Sequence, residues 1–358
     1  MNKFKFYFIL LITTVSLFSC SKNDPNTPVE PPRDYATQYA VDIVDIEEYL
    51  NKNYITVVNH PGFVDDQNVT ITKIDAAQPS IMSYLNSATY PKLLTKDISQ
   101  NNIIYKLYYL VLRPGVGHSP CNADGVMTSY RGDYLERTGS TGSTVTTLTA
   151  TKFEEVIYPQ AMISLFTTIS GWSETFPIFK TGTYTANADG TITRNDFGAG
   201  VMFLPSGLAY YNSGSGSIPA YSPLVFSFKL YELQRLDQDN DGIPSYQEDL
   251  NGDGYVRTLA TGVVNPDDTD GDGIPNFLDV DDDGDNYTTK LEITKPAGTN
   301  SGLSAYFPYD PIVDNPLTTA IETETKGIPE YSAAGTPDYT TPTRLRIHLD
   351  KAHHTAKP

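Results

Sequence analysis

The sequence predicts an α+β protein: antiparallel strands with little helix, followed by an irregular acid-rich segment. Three observations lead there. Residues 198–230 read as strand, glycine/serine loop and returning strand, because Val201 and Phe203, then Phe226, Phe228 and Leu230, recur with the two-residue period that turns alternate side chains to one buried face. Tyr39, Val41, Ile43, Ile46, Tyr49 and Leu50 recur at helical spacing, and short strand patterns follow at Tyr54–Val58, Val69–Ile74 and Ile103–Leu112. From Asp237 onward the phrase Asp-x-Asp-x-Asp-Gly repeats.

Taken from the amino terminus, Lys3 and Lys5 precede an apolar run from Phe6 to Phe18, and then come Ser19 and Cys20. A basic start and a short apolar core mark a secretory signal over residues 1–19, too short to span a bilayer as a mature helix. Cys20 stands where a bacterial lipoprotein carries its acyl chains, so that resemblance implies cleavage before Cys20 and lipid attachment there. Residues 20–34 are polar and proline-rich and read as a tether. Cys121 is the other cysteine. With Cys20 lipidated, no intramolecular disulfide is available.

Residues 35–103 form an N-terminal helper region without a catalytic motif. Beyond it, Leu204-Pro205, Leu208-Ala209-Tyr210, Gly216-Ser217-Ile218-Pro219 and Leu224-Val225-Phe226 resemble the signature of FKBP-type peptidyl-prolyl isomerases. Upstream, Tyr130-Arg131-Gly132 and Ile169-Ser170-Gly171-Trp172 resemble that family's other two landmarks, in the family's order. The resemblance implies an antiparallel sheet wrapped around a short helix, over residues 104–236. It also implies a proline pocket lined by Tyr130, Phe153, Ile169, Trp172, Ile218 and Phe226, with Glu154 where the family has aspartate. The Tyr210 hydroxyl and the Ile218 backbone N–H would hold substrate carbonyls. Tyr211 stands where the family commonly has glycine. The stretch Gly139–Thr151 reads as an inserted loop, with little to bury.

The formal net charge of −18 is concentrated: residues 237–285 hold fifteen Asp and Glu against Arg257 alone. Such a block repels itself unless cations neutralise it. Asp237, Asp239, Asp241, Ile243, Ser245 and Glu248 occupy ligand positions of a calcium loop with Gly242 at its turn, and Asp268, Asp270, Asp272, Ile274, Asn276 and Asp279 repeat the pattern. Weaker copies start at Asp249, with Asn251 and Asp253, and at Asp279, with Asp281 and Asp283; Glu292 falls two residues late for the latter. Pro244 and Pro275 remove an N–H that paired EF-hands need. The shared aspartates and the Asp-Gly-Ile-Pro phrase resemble thrombospondin type-3 repeats, implying a calcium-stiffened segment over 237–292. Residues 293–358, rich in Pro, Thr and Tyr, read as a mobile tail.

The expectation is a monomeric prolyl isomerase acting on proline-containing polypeptides, lipid-anchored to the outer membrane of a Gram-negative envelope. Calcium would be structural, with no cofactor for catalysis. A non-catalytic FKBP-fold chaperone or peptide binder, or a structural surface protein, are the competing classes. A sequence pI near 4.5 argues against a nucleic-acid partner.

Overall fold

The computed structural model describes residues 31–139, 146–298, 302–313 and 323–354; the signal segment, Cys20 and most of the tether lie outside these. Residues from Tyr35 onward form one unit. Helix α1 (Tyr35–Lys52) leads into the hairpin β1 (Asn53–Val57) and β2 (Val69–Lys73). Then come β3 (Lys92–Gln100), β4 (Ile103–Arg113), β5 (Gly125–Thr138), β6 (Thr147–Val156) and β7 (Ile163–Ser164). Helix α2 (Ser170–Thr175) follows, with the hairpin β8 (Thr183–Ala186) and β9 (Ile192–Asn195), and the long strands β10 (Gly198–Leu204) and β11 (Leu224–Gln234). The main sheet runs β3-β4-β10-β11-β5-β6, with β7 beside β5, and its pairs are antiparallel. No helix among the described residues is long and apolar enough to cross a membrane.

Both faces of this sheet are covered, which changes how its central strands are read. The expectation grouped Val201 and Phe203 with Phe226, Phe228 and Leu230. The register instead sets Met202 opposite Phe226 and Phe203 opposite Val225. Val201, Phe203 and Val225 therefore face α1, packing with Ile46 and Leu50. Met202, Leu204, Phe226, Phe228 and Leu230 face α2, packing with Trp172 and Phe176. A strand covered on both sides loses its alternation, and β10 is buried at every residue. Each buried Leu or Phe contributes about 1.5–3 kcal/mol here.

Three boundaries differ from expectation. Strand β3, read as part of the helper region, hydrogen-bonds to β4 and belongs to the main sheet. The stretch expected as a loop through Thr151 is already strand from Thr147, paired to β5. An edge strand needs few apolar residues, and threonine suits its half-exposed faces. The segment read as a mobile tail supplies Phe307, Ile328 and Ile347 to a small core with Ile243 and Ile293. Arg344 donates to Ile328 O at 2.6 Å and pairs with Asp310 at 2.9 Å. The apolar residues of that core lie too far apart along the chain to leave a periodic signal.

Candidate functional site

The pocket is assembled from five segments. Tyr130 on β5, Phe153 and Glu154 on β6, Ile169 and Trp172 at the start of α2, Tyr210 after β10, and Phe226 on β11 line a cleft of about 510 Å³. The Trp172 ring lies edge-on to Tyr130 (4.9 Å between centroids) and to Phe226 (5.3 Å), and Phe153 lies edge-on to Phe226 at 5.6 Å. Such pairs are worth about 0.5–1.5 kcal/mol beyond area burial. Two landmark glycines allow this closeness. A Cβ at Gly132 would sit 2.4 Å from the Phe153 ring and 2.8 Å from Phe226, and one at Gly171 would sit 2.4 Å from Leu204.

Polar groups gather at the rim. The Tyr130 hydroxyl donates to Glu154 Oε2 at 2.9 Å, so the longer carboxylate still reaches the pocket tyrosine. Burial, then Glu154, raises the Tyr130 phenol's pKa above its ordinary value. Tyr210 is 36% exposed. Tyr211 does not plug the cleft: it stacks on Tyr35 at 4.2 Å and has φ of 45°, the left-handed conformation that explains glycine at this position in the resembling family. Asp42 of α1 pins the approach to Tyr210 by accepting from Ser206 N (2.8 Å) and Ser206 Oγ (2.6 Å). Burial pushes the pKa of Asp42 up to about 6, against the opposing pull of those bonds.

One expected pocket residue is misplaced. Ile218 is buried in the core and is absent from the lining, and its N–H donates to Ser215 O at 2.8 Å. The Gly/Ser loop closes on itself there, so the amide is already used. The Ile169 N–H, at the start of α2 and beside the cleft, makes no backbone hydrogen bond among the described residues. Ile163, Thr167, Thr168, Ser170 and Ala209 also line the cleft; Ser170 and Ala209 lie within the landmark motifs, whereas Ile163, Thr167 and Thr168 come from a stretch whose sequence carries no distinctive pattern.

The acidic segment repeats one wrapped loop. Asp237 accepts from Asn240 N and Gly242 N, Asp249 from Gly252 N and Gly254 N, and Asp268 from Gly271 N and Gly273 N, at 2.7–3.0 Å. Three groups bring ligand atoms within 4.8 Å of one another along one loop: Asp237, Asp239 and Asp241; Asp268, Asp270 and Asp272; and Asp281, Asp283 and Asp285. The fourth loop therefore begins at Asp281, two residues later than its spacing implied. Asn286, with φ of 71°, takes the turn position that glycine fills elsewhere, and Glu292 falls at the twelfth position.

The ninth loop positions are not aimed at these groups. Ser245 Oγ accepts from Gln238 N (3.1 Å), Asn276 Oδ1 from Thr269 N (2.9 Å) and Thr289 Oγ1 from Asp282 N (3.4 Å), each tying the ninth residue to the second. Asp279 joins no such group among the described residues, and the Asp249 loop, with Asn251 at its third position, brings only the carboxylates of Asp249 and Asp253. The side chain of Ile243 is anchored in the small core, whereas that of Ile274 is exposed.

Electrostatically the segment is incomplete as protein alone. Oxygens of Asp239, Asp241 and Asp283 are buried without hydrogen-bond partners, whereas Asp285 Oδ2 lies 3.2 Å from His354 Nδ1. Burial first, then neighbouring carboxylates, push Glu292 up to about 9, Asp239 to about 8 and Asp241 to about 7. Oxygens up to 4.8 Å apart are the spacing of ligands on opposite sides of a calcium ion at its usual ~2.3–2.6 Å. All-carboxylate sets suit hard cations.

This segment is fastened beside the pocket. Glu174 of α2 pairs with Arg257 and, at 2.9 Å, with Lys96; the Tyr255 hydroxyl donates to Glu174 O at 3.1 Å. Asn122 and the Val256 backbone exchange two hydrogen bonds, of 2.7 and 2.8 Å. Phe166 lies edge-on to Phe277 at 5.7 Å. Cys121 is buried among these contacts with its thiol pushed up to about 11 by burial, which fits a packing residue.

A family model described as BamM C-terminal matches residues 238–320, which cover the acidic loops and part of the small core but not the pocket. That description is not of thrombospondin type-3 repeats. No curated protein matches the chain. Among solved structures, a peptidyl-prolyl cis-trans isomerase from Pseudomonas syringae pv. tomato is 22% identical over 41% of this chain and 84% of that one, with a TM-score of 0.27. FkpA from Escherichia coli is 24% identical over 41% of this chain and 54% of that one, with a TM-score of 0.28.

Proposed function

We propose that this chain is a peptidyl-prolyl cis-trans isomerase for proline-containing segments of extracytoplasmic proteins, lipid-anchored through Cys20. The observation that carries this reading is the convergence of Tyr130, Phe153, Ile169, Trp172, Tyr210 and Phe226 on one cleft walled by aromatic rings. Rotation about an X–Pro bond is opposed by amide conjugation, with a barrier of roughly 18–20 kcal/mol. The twisted amide has lost that conjugation and is less well solvated by water, so an apolar cavity favours it over the planar forms. Catalysis is then differential binding of the twisted state. Trp172 supplies the floor, Phe153 and Phe226 the wall, and the Tyr210 hydroxyl one donor to a substrate carbonyl. The Ile169 N–H takes the second donor role first given to Ile218. The BamM C-terminal match supports an envelope setting.

Calcium is the proposed structural ion of the loops around Asp237, Asp268 and Asp281, supported by three converging carboxylates in each and, in the first and last, by buried oxygens without hydrogen-bond partners. The function is tested with a proline-peptide isomerisation assay on the calcium-loaded chain. Turnover that falls at least about tenfold in Trp172→Leu, and less in Tyr210→Phe, is expected, with circular dichroism confirming that both variants fold. Peptide binding without turnover in the wild type would replace the enzyme with a proline-peptide binder.

A further inference from the structure

The motif spacing treats each acidic loop as a site of its own, but one group crosses between loops. Asp241 and Glu248 of the first loop meet Asp282 of the last, with ligand atoms within 4.8 Å of one another. Asp241 is 1% exposed, and Glu248 and Asp282 are each 2% exposed. Both carboxylate oxygens of Glu248, both of Asp282, and Oδ2 of Asp241 have no hydrogen-bond partner. Asp282 is the second residue of its loop. There the tie from its own N–H to Thr289 leaves the side chain to face the first loop. In the other loops the equivalent residues are Gln238, Leu250 and Thr269, none of which is acidic.

We infer that Asp241, Glu248 and Asp282 form a buried divalent-cation site that clasps the first loop to the last, with Asp241 shared by the ion held with Asp237 and Asp239. The chemistry is that of a hard cation. The donors are all carboxylate oxygens, a dication offsets two of their three formal negative charges, and isolating such charges from water is otherwise very unfavourable. Near this group Lys290 donates to Asn240 O at 2.8 Å, so it bridges the same two loops without pairing with the three carboxylates. The clasp makes residues 237–292 a closed unit rather than an extended stalk. This inference rests on the calcium reading of the loops, and its test separates the two.

The experiment counts bound calcium on the full chain, stripped with chelator and titrated calorimetrically, for wild type, Asp282→Asn and Asp282→Ala. Thermal unfolding is followed with and without calcium. The variants are expected to bind one calcium fewer than wild type. Without calcium they should unfold at a higher temperature than wild type, since a buried like charge is gone; with calcium they should unfold lower. A purely structural role for Asp282 would lower both. Unchanged calcium stoichiometry in both variants would overturn the clasp while leaving calcium binding intact. A wild-type chain that binds no calcium at all would overturn the underlying reading as well.

Discussion

The pocket and the acidic loops both depend on burial, yet they bury opposite things. Around Trp172 the buried groups are aromatic rings that satisfy one another by edge-on packing. Even the buried carboxylate of that region, Asp42, accepts hydrogen bonds from Ser206 N, Ser206 Oγ and Gln38 Nε2. In the loops, the buried carboxylate oxygens of Glu248 and Asp282 have no hydrogen-bond partners and face further carboxylates. In the first region the rings pack on one another, although Trp172 Nε1 is buried there without a hydrogen-bond partner. The second gathers unpaired carboxylates, and because an unpaired buried charge costs several kcal/mol, a cation is proposed there. On the proposed calcium reading, fold stability and ion binding are separable in the pocket half and are the same quantity in the acidic half.

The largest expected effect breaks the two regions apart. Chelating calcium should strip hydrogen-exchange protection from residues 237–292 while the amides of β10 and β11 keep theirs. Each site lost removes about 2.7 kcal/mol if calcium had stood at a hundredfold its dissociation constant. Trp172 is the single tryptophan and touches the pocket wall, so its fluorescence reports whether the loss spreads. Because Arg257 pairs with Glu174 of α2 and Phe277 packs on Phe166 shortly before that helix, a change in Trp172 emission and a fall in turnover are expected on chelation. An unmoved signal would make the halves independent.

The second effect sharpens the contrast between satisfied and unsatisfied carboxylates. The folded pKa of Asp42 is raised to about 6 from an ordinary 3.8, so between those values the folded chain holds a proton that the unfolded chain releases. Stability falls as pH rises through that window, by about 3 kcal/mol from this group. Asp42→Asn should flatten the slope, read from urea unfolding at pH 4 and pH 6.5. A variant with the wild-type slope would remove Asp42 as its source.

Next comes the pocket alone. Gly132→Ala places a methyl group against Phe153 and Phe226 and should cost about 1–3 kcal/mol by overpacking, with turnover falling while calcium stoichiometry stays as in wild type. Unaltered turnover would show that the rings can shift without consequence.

The smallest effect is at the junction. Arg257→Ala leaves Glu174 with Lys96, and Arg257 is itself partly exposed, so the loss should stay within about 1 kcal/mol. It should nonetheless weaken the response of Trp172 fluorescence to calcium. An undiminished response would assign the coupling to Phe166 and Phe277.

Much of the pocket was legible because short-range constraints mark it. Gly132 and Gly171 are required where rings and helix approach too closely for a Cβ, and Trp172 follows the second of them. The order of these landmarks along the chain preserved the wall and floor residues. Ile218 was misassigned because a tight loop consumed its N–H, and hydrogen bonds within a loop leave no spacing signal. The register of the last acidic loop slipped by two because Asn286 adopts the turn conformation that a spacing rule assigns to glycine.

By itself, then, the sequence determined the local chemistry: which residues turn, which alternate, and where acidic groups recur at ligand spacing. Those properties are set by neighbours a few bonds away. Only the tertiary structure decided that Val201 and Phe226 face opposite ways, that Phe307 and Ile347 reach one core with Ile243, and that Asp282 meets Glu248. Such pairings depend on strand register and chain reversal across many residues, where the balance of burial, desolvation and chain entropy over the whole molecule selects the partner.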